Sequence, residues 1–190
     1  MPKYILASQS PRRKQLLEWA EIDFEVVVHA IKESYSTPLI PEEVAKSIAQ
    51  QKANAVSNAS EEGRVIIAAD TIVVLNNKII GKPKNIQDAI NTLTALSGNI
   101  HHVITGVTIT NGKKEHTFSD ITEVEFHMLT QQQIKFYVNK YQPFDKAGAY
   151  AIQEWIGVVG IKRINGDFYN VMGLPVSRVV QILKEFTPSP

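Results

Sequence analysis

Arg64-Val-Ile-Ile-Ala-Ala-Asp-Thr-Ile-Val-Val-Leu75 is the most apolar run in the chain. Its β-branched content reads as a central strand, or as two strands meeting at a bend. Downstream, Asn76-Asn77 makes a turn into Lys78 to Ile80, and the loop Gly81-Lys82-Pro83 leads to a helix over Ile86 to Leu96 that Ser97-Gly98 closes. His101 to Thr110 and Glu115 to Phe126 flank Asn111-Gly112, a hairpin signal that adds two long antiparallel strands. Upstream, Pro41 starts a long helix in which Val44, Ile48 and Ala55 line one side and Ala45, Ala49 and Val56 widen the stripe. Lys52 falls on the edge of that stripe.

At the N-terminus, Lys3 to Ala7 reads as a buried strand, and Ser10-Pro11 supplies an N-cap and first-turn proline for a helix carrying Leu16, Leu17 and Ala20. Phe24 to Val28 is a second strand, and a polar stretch from His29 to Leu39 holds Glu33. Beyond the hairpin, Thr130 caps a helix through Tyr137, Tyr141 to Gln153 is loop, and Val158 to Ile164 reads as a last strand ending at Asn165-Gly166. A closing helix follows Pro175, with a frayed tail over Thr187 to Pro190. The order is mixed α/β with several antiparallel pairings, which argues against a purely parallel doubly wound sheet.

The 190 residues suffice for one elongated domain or two small lobes. Lysine plus arginine number 20 against 19 acidic residues, so no global field draws the chain onto nucleic acid or an anionic membrane, and any basic site is local. Without cysteine there are no disulfides, thiolate nucleophiles or sulfur-bound zinc, a composition compatible with a reducing cytosol. Tyr4 to Ala7 is too short for a signal h-region and no apolar run reaches membrane-spanning length, so the expectation is a cytoplasmic protein.

Arg12 and Arg13 stand in the first turn of a helix, where the partial positive charge of the unpaired N–H groups disfavours them. A solvated helix start would account for a lone pair of arginines. Ser8, Ser10 and the proline-started helix favour the other reading, a polyphosphate gripped by guanidinium forks, hydroxyls and free N–H groups. Asp70 interrupts the apolar run; buried, it must be neutral, paired, metal-bound or open to a cleft. It is either a structural carboxylate at a strand end or a reactive one. Lys52 reads as a snorkelling lysine or a ligand, and Lys82 is better placed because glycine and proline shape its loop. Glu33 is solvated, or else joins Asp70 on a hard cation such as Mg²⁺, which accepts one or two protein carboxylates. His101 and His102, adjacent in a strand, face opposite sides and do not share a metal. No Walker loop, dinucleotide fingerprint, HExxH or nucleophile elbow is present.

Leu6-Ala-Ser-Gln-Ser-Pro-Arg-Arg13, Ala68-Ala-Asp-Thr71, Gly81-Lys-Pro83, Ser97-Gly98 with His101 and Thr105-Gly106, Asp145-Lys-Ala-Gly-Ala-Tyr-Ala-Ile-Gln153 and Asn170-Val-Met-Gly-Leu-Pro175 resemble the successive signature blocks of the Maf family. The resemblance covers nearly the whole chain and implies a single Maf-like domain over residues 1–190. The implied fold is an elongated mixed β-sheet with flanking helices around a central cleft, similar to that of the inosine triphosphatases. The implied activity is nucleoside triphosphate pyrophosphatase, releasing a nucleoside monophosphate and pyrophosphate, in a family first associated with inhibition of septum formation.

The resemblance further implies that Asp70 accepts the proton of the attacking water and that Arg12, Thr71 and Gln153 bear on substrate choice. It implies phosphate-binding roles for Ser8, Arg13, Lys52 and Lys82, and Mg²⁺ held by Glu33 and Asp70. The Ser-Pro-Arg-Arg turn and the block ending at Gln153 look like the subgroup acting on dTTP and UTP. The same chemistry on 7-methyl-GTP or inosine-type nucleotides is the alternative, and a non-catalytic nucleotide-binding regulator of septum formation is a reading from another class. Where family members often place glycine after Gln153, this chain has Glu154-Trp155. The expected partner is a nucleoside triphosphate, not nucleic acid or a membrane, and the long hairpin and the resemblance are both compatible with a homodimer.

Overall fold

A computed structural model describes residues 4–34, 40–57 and 63–186. The expected strand start at Lys3, part of the polar stretch at 35–39 and the tail at 187–190 lie outside the described residues. Seven strands form a mixed sheet in the order β2-β1-β3-β5-β6-β7, with β4 also paired to β3. The chain divides into two compact units, Met1–Thr71 with Thr105–Asp120 and Gly173–Pro190, and Ile72–Ile104 with Ile121–Met172.

The first unit holds β1 (Tyr4–Leu6), α1 (Pro11–Trp19), β2 (Phe24–Val26), α2 (Pro41–Ser57) and the first part of β3 (Val65–Leu75). It also takes in the hairpin end of β5 (Ile100–Thr110) and β6 (Glu115–Phe126), and α7 (Val176–Leu183). β1 lies parallel to both β2 and β3, with Ile5 opposite Glu25 and Ile66. Ile5, Ile66 and Ala68 on these strands, with Ala7 just after β1, pack against Ala53 and Val56 of α2. A Cβ on Gly106 would come within 2.2 Å of the Ala45 carbonyl carbon, so the backbone of α2 rests directly on β5 there. The buried stripe of α2 runs through Ala53, and Ala55, expected to line it, is only half-buried.

The second unit holds β4 (Lys78–Ile80), α3 (Ile86–Leu96), α4 (Gln131–Tyr141), α5 (Trp155–Gly160), β7 (Ile161–Asn165) and α6 (Phe168–Met172). Asn76 and Asn77 both take positive φ, 50° and 60°, which turns β3 back onto β4 with Val73 opposite Ile80. Thr130 and Gln133 form a reciprocal capping box at the start of α4, and the helix continues to Tyr141 instead of stopping at Tyr137.

The expected strand over Val158 to Ile164 is corrected: only its second half is strand. Trp155–Gly160 is helical, with the N–H groups of Gly157 and Val158 donating to the Glu154 carbonyl at 2.9 and 3.3 Å. The two buried residues, Ile156 and Gly160, are four apart and define one helical face, while Val158 points to solvent. The short helix Phe168–Met172, just after the Asn165-Gly166 turn, was not expected from the sequence. The second expected strand is likewise shorter than its apolar run, ending at Val26.

Candidate active site

Helix α1 begins as its sequence requires. Ser10 is extended (φ −64°, ψ 117°) and its hydroxyl accepts from the Arg13 N–H at 3.5 Å, with Pro11 in the first turn. Ser8, two residues earlier, accepts from the Ser10 N–H at 3.2 Å and from Arg13 Nη1 at 3.0 Å. The Arg13 guanidinium is buried and spreads its donors over three groups: the Gly173 carbonyl at 2.8 Å from Nε, Ser8 Oγ from Nη1, and Thr71 Oγ1 at 2.9 Å from Nη2. All three acceptors are neutral. Burial lowers the Arg13 pKa from 12.5 to about 10; Asp70 and Glu33 oppose that shift and neighbouring Arg12 reinforces it. The group stays cationic at neutral pH, a buried charge that is oriented but not neutralised by its hydrogen-bond partners.

Thr71 joins this frame from β3. Besides accepting from Arg13, its hydroxyl lies 2.9 Å from Thr105 Oγ1 and 3.4 Å from the Gly173 carbonyl. Gly173 reaches this position with φ +116°, a conformation that favours glycine. The Gly173 carbonyl and the Thr105 hydroxyl are thus structural members of the site to which the sequence assigned no role, although both lie in quoted signature blocks. The Gly173 carbonyl is a backbone group and carries no side-chain signal by which the sequence could have marked it.

In the same unit, Lys52 on α2 reaches both acidic candidates. Its ammonium donates to Asp70 Oδ1 at 2.6 Å and lies 2.8 Å from Glu33 Oε1. The Asp70 side chain is 15% exposed and Glu33 50%, so the Asp70 contact is the less screened of the two. Asp70 is therefore paired, and the edge-of-stripe lysine is a counter-ion that gathers two carboxylates separated by 37 positions in the chain.

Arg12 is half-buried beside Arg13. Lys82 and Gln153 belong to the second unit. Lys82 is exposed in its loop, where the Gly81 carbonyl accepts from the Gly148 N–H at 3.2 Å. Gln153 is exposed and lines a pocket of about 430 Å³ with the apolar side chains of Ile152, Val158, Ile161, Ile164 and Phe168. His101 is fully buried, its Nε2 within 2.8 Å of the Tyr150 hydroxyl, and burial pulls its pKa from 6.5 down to about 4; His102 is exposed. The two histidines do face opposite sides.

Among the described residues no group of three or more histidine or carboxylate side chains is placed to hold a metal. The pair Glu33 and Asp70 still fits a hard divalent cation. Two carboxylates already converge on one positive charge, and a hard cation such as Mg²⁺ would need no more than one or two protein carboxylates. No described helix is long and apolar enough to cross a membrane.

The fold is similar to that of a HAM1 protein from Coxiella burnetii, at 16% identity over 97% of this chain and 100% of that one, with a TM-score of 0.56. It is also similar to the Staphylococcus aureus Ham1 protein, at 17% identity over 96% and 97% of the two chains, with a TM-score of 0.51. These likenesses define the architecture as Ham1-like. Residues 3–186 match the family described as Maf-like protein, and the chain belongs to that family. It is 52% identical over 185 residues to the dTTP/UTP pyrophosphatase of Cytophaga hutchinsonii, covering 97% of this chain and 84% of that one. It is 45% identical over 186 residues to the dTTP/UTP pyrophosphatase of Bacillus cytotoxicus, covering 98% and 96%.

Proposed function

We propose that the protein is a nucleoside triphosphate pyrophosphatase that hydrolyses dTTP and UTP to the nucleoside monophosphate and pyrophosphate. The observation that carries the chemistry is the Lys52 ammonium shared by Asp70 and Glu33 in the same unit as a buried, un-neutralised Arg13. One part of this arrangement suits a cation and the other an anion. The substrate pair is carried by the likeness to the dTTP/UTP pyrophosphatases.

In this reading Arg13 and Ser8 bind phosphate oxygens, Lys82 adds charge from its glycine-shaped loop, and Thr71 keeps the guanidinium aimed. Lys52 engages Asp70 Oδ1, and Oδ2, which has no hydrogen-bond partner among the described residues, can accept from water. As that water attacks the α-phosphorus, Asp70 takes its proton, the bond from the α-phosphorus to the bridging oxygen breaks, and the electron pair leaves with pyrophosphate. Glu33 and Asp70 would hold Mg²⁺, which when bound neutralises charge on the phosphoryl oxygens. Gln153 presents an amide able to donate and accept at a pyrimidine edge, where a carboxylate only accepts.

The test is pyrophosphate release from a panel of nucleoside triphosphates with Mg²⁺. Parent protein is expected to prefer dTTP and UTP, and Asp70→Asn to lose at least about a thousandfold in kcat, the scale of removing a general base together with a charge. Full activity in Asp70→Asn, or nucleotide binding by the parent without pyrophosphate release, overturns the mechanism. Gln153→Glu is expected to depress dTTP and UTP turnover selectively; equal losses for all bases would remove Gln153 from base reading.

A further inference from the structure

The backbone around Gln153 is held in an unusual way. The Glu154 N–H donates to the Ala151 carbonyl at 3.1 Å, closing a tight turn with Gln153 on it. Both ends of that turn hang on one phenol. Tyr137, fully buried in α4, accepts from the Ala151 N–H at 3.2 Å and donates its own hydroxyl proton to the Glu154 carboxylate. Burial and the adjacent carboxylate push the Tyr137 pKa upward, so the proton it donates is retained across the working pH range.

The carboxylate is fixed from its other side as well. Lys146, nearly buried, pairs with Asp145 at 2.7 Å and sits 3.6 Å from Glu154 Oε1. Glu154 occupies the N-cap position of α5 yet makes no capping bond with its side chain. Its carboxylate turns instead to Tyr137 and Lys146. The following helix is also pressed against the turn, because a Cβ on Gly157 would stand 1.7 Å from the Ile152 carbonyl oxygen. Among the described residues the Gln153 side chain makes no hydrogen bond, so what holds it is the backbone turn on which it is mounted.

We propose that Glu154, braced by Tyr137 and Lys146, is a positioning residue that fixes the Gln153 amide in the direction needed to discriminate a pyrimidine edge. The proposal rests on the reading of Gln153 as a base contact. It gives a role in specificity to Glu154, which stands where members of the family often place glycine.

The experiment measures kcat and KM for dTTP, UTP and dCTP in the parent, Glu154→Ala, Glu154→Gln, Tyr137→Phe and Gln153→Ala, with the Gln153 backbone amide followed by NMR in nucleotide-free protein. Glu154→Ala is expected to lower the preference for dTTP over dCTP by about tenfold, the discrimination of one well-placed hydrogen bond, with the change carried by KM and not kcat. Its Gln153 backbone amide signal moves toward the position of an unstructured chain, because the turn is no longer held. Tyr137→Phe behaves alike, Glu154→Gln keeps an acceptor for the phenol and restores the preference, and adding Glu154→Ala to Gln153→Ala causes no further loss of selectivity. If Gln153→Ala loses selectivity while Glu154→Ala keeps both selectivity and the parent amide signal, the brace is wrong and the base contact stands. Equal falls in kcat for all three nucleotides in Glu154→Ala also overturn it, by reducing Glu154 to a stability residue. Unchanged selectivity in Gln153→Ala overturns the base contact and the brace together.

Discussion

Replacing Arg13 with methionine separates its structural from its chemical contribution. The substitution keeps an unbranched side chain of similar reach and removes three hydrogen bonds, to Gly173, Ser8 and Thr71. Bonds from a charged donor contribute about 1.5 kcal/mol each at the lower end of their range, which applies because Thr71 and Ser8 both keep other partners. Against that loss of about 4.5 kcal/mol stands relief from burying the charge. A pKa brought from 12.5 to about 10 corresponds to about 3 kcal/mol. The net destabilisation is therefore about 1 to 2 kcal/mol, less than the stability of a typical domain. Activity should fall much further, by about a hundredfold to a thousandfold, the effect of removing one preorganised charge stabiliser. Urea unfolding monitored by tryptophan fluorescence gives the first quantity and pyrophosphate release the second. The reasoning is refuted if Arg13→Met is fully folded and retains more than about a tenth of parental kcat/KM, because the buried guanidinium would then be a packing element only.

Two further outcomes test the surroundings. Gly106→Ala drives a Cβ into the Ala45 backbone and is expected to cost about 3 kcal/mol or more, whereas Gly81→Ala, which enters open space, should change stability by less than about 0.5 kcal/mol; thermal unfolding of both variants checks the contrast. His101 is held neutral to about pH 4 in the folded chain and protonates near 6.5 once unfolded, so the unfolded state binds the extra proton between those values. Its contribution is fully present above pH 6.5 and about 3 kcal/mol is lost on acidification toward pH 4. Chemical denaturation of parent and His101→Phe at pH 7.5, 6.5 and 5 should show this slope in the parent and lose it in the variant.

Much of the architecture was legible because local signals and global packing agree. The β-branched run at Val65–Leu75, the asparagine pair after it, the Asn-Gly hairpin and the Ser-Pro helix start each specify their own geometry and are found where expected. The failures have a common cause. Ile156 to Gly160 is short and apolar, so it carries neither a helical nor a strand period, and only the four-residue spacing of its buried positions distinguishes the two. In α2 the choice between Ala53 and Ala55 depends on which side meets β1 and β3, a tertiary fact. The site divides in the same way. Residue types revealed Asp70, Arg13 and Glu33 as candidates, but nothing local shows that Lys52 joins two acids, since that follows from the placement of α2. The Gly173 carbonyl is a backbone group 160 positions from Arg13 and has no side-chain signature at all.

The partners of Arg13 and Lys52 differ in a way that orders their tasks. If a carboxylate had paired with Arg13, an incoming phosphate would have to displace an anion of comparable strength, and the gain from binding would largely cancel. Serine, threonine and a carbonyl instead fix the direction of the guanidinium while leaving its charge unanswered, and Arg12 beside it raises the cost of that state until an anion arrives. Lys52 has the opposite surroundings. With Glu33 and Asp70 both on its ammonium, the local excess is negative, so the favoured newcomer there is a cation. Arg13 nevertheless feels both carboxylates, which partly offset its desolvation. A triphosphate accompanied by a divalent ion satisfies the two demands together, whereas a bare anion is repelled by the acids and a bare cation leaves Arg13 unsatisfied. The two arginines that look misplaced at a helix N-terminus are thus half of a charge arrangement whose complement, Glu33, Lys52 and Asp70, is assembled only by the fold.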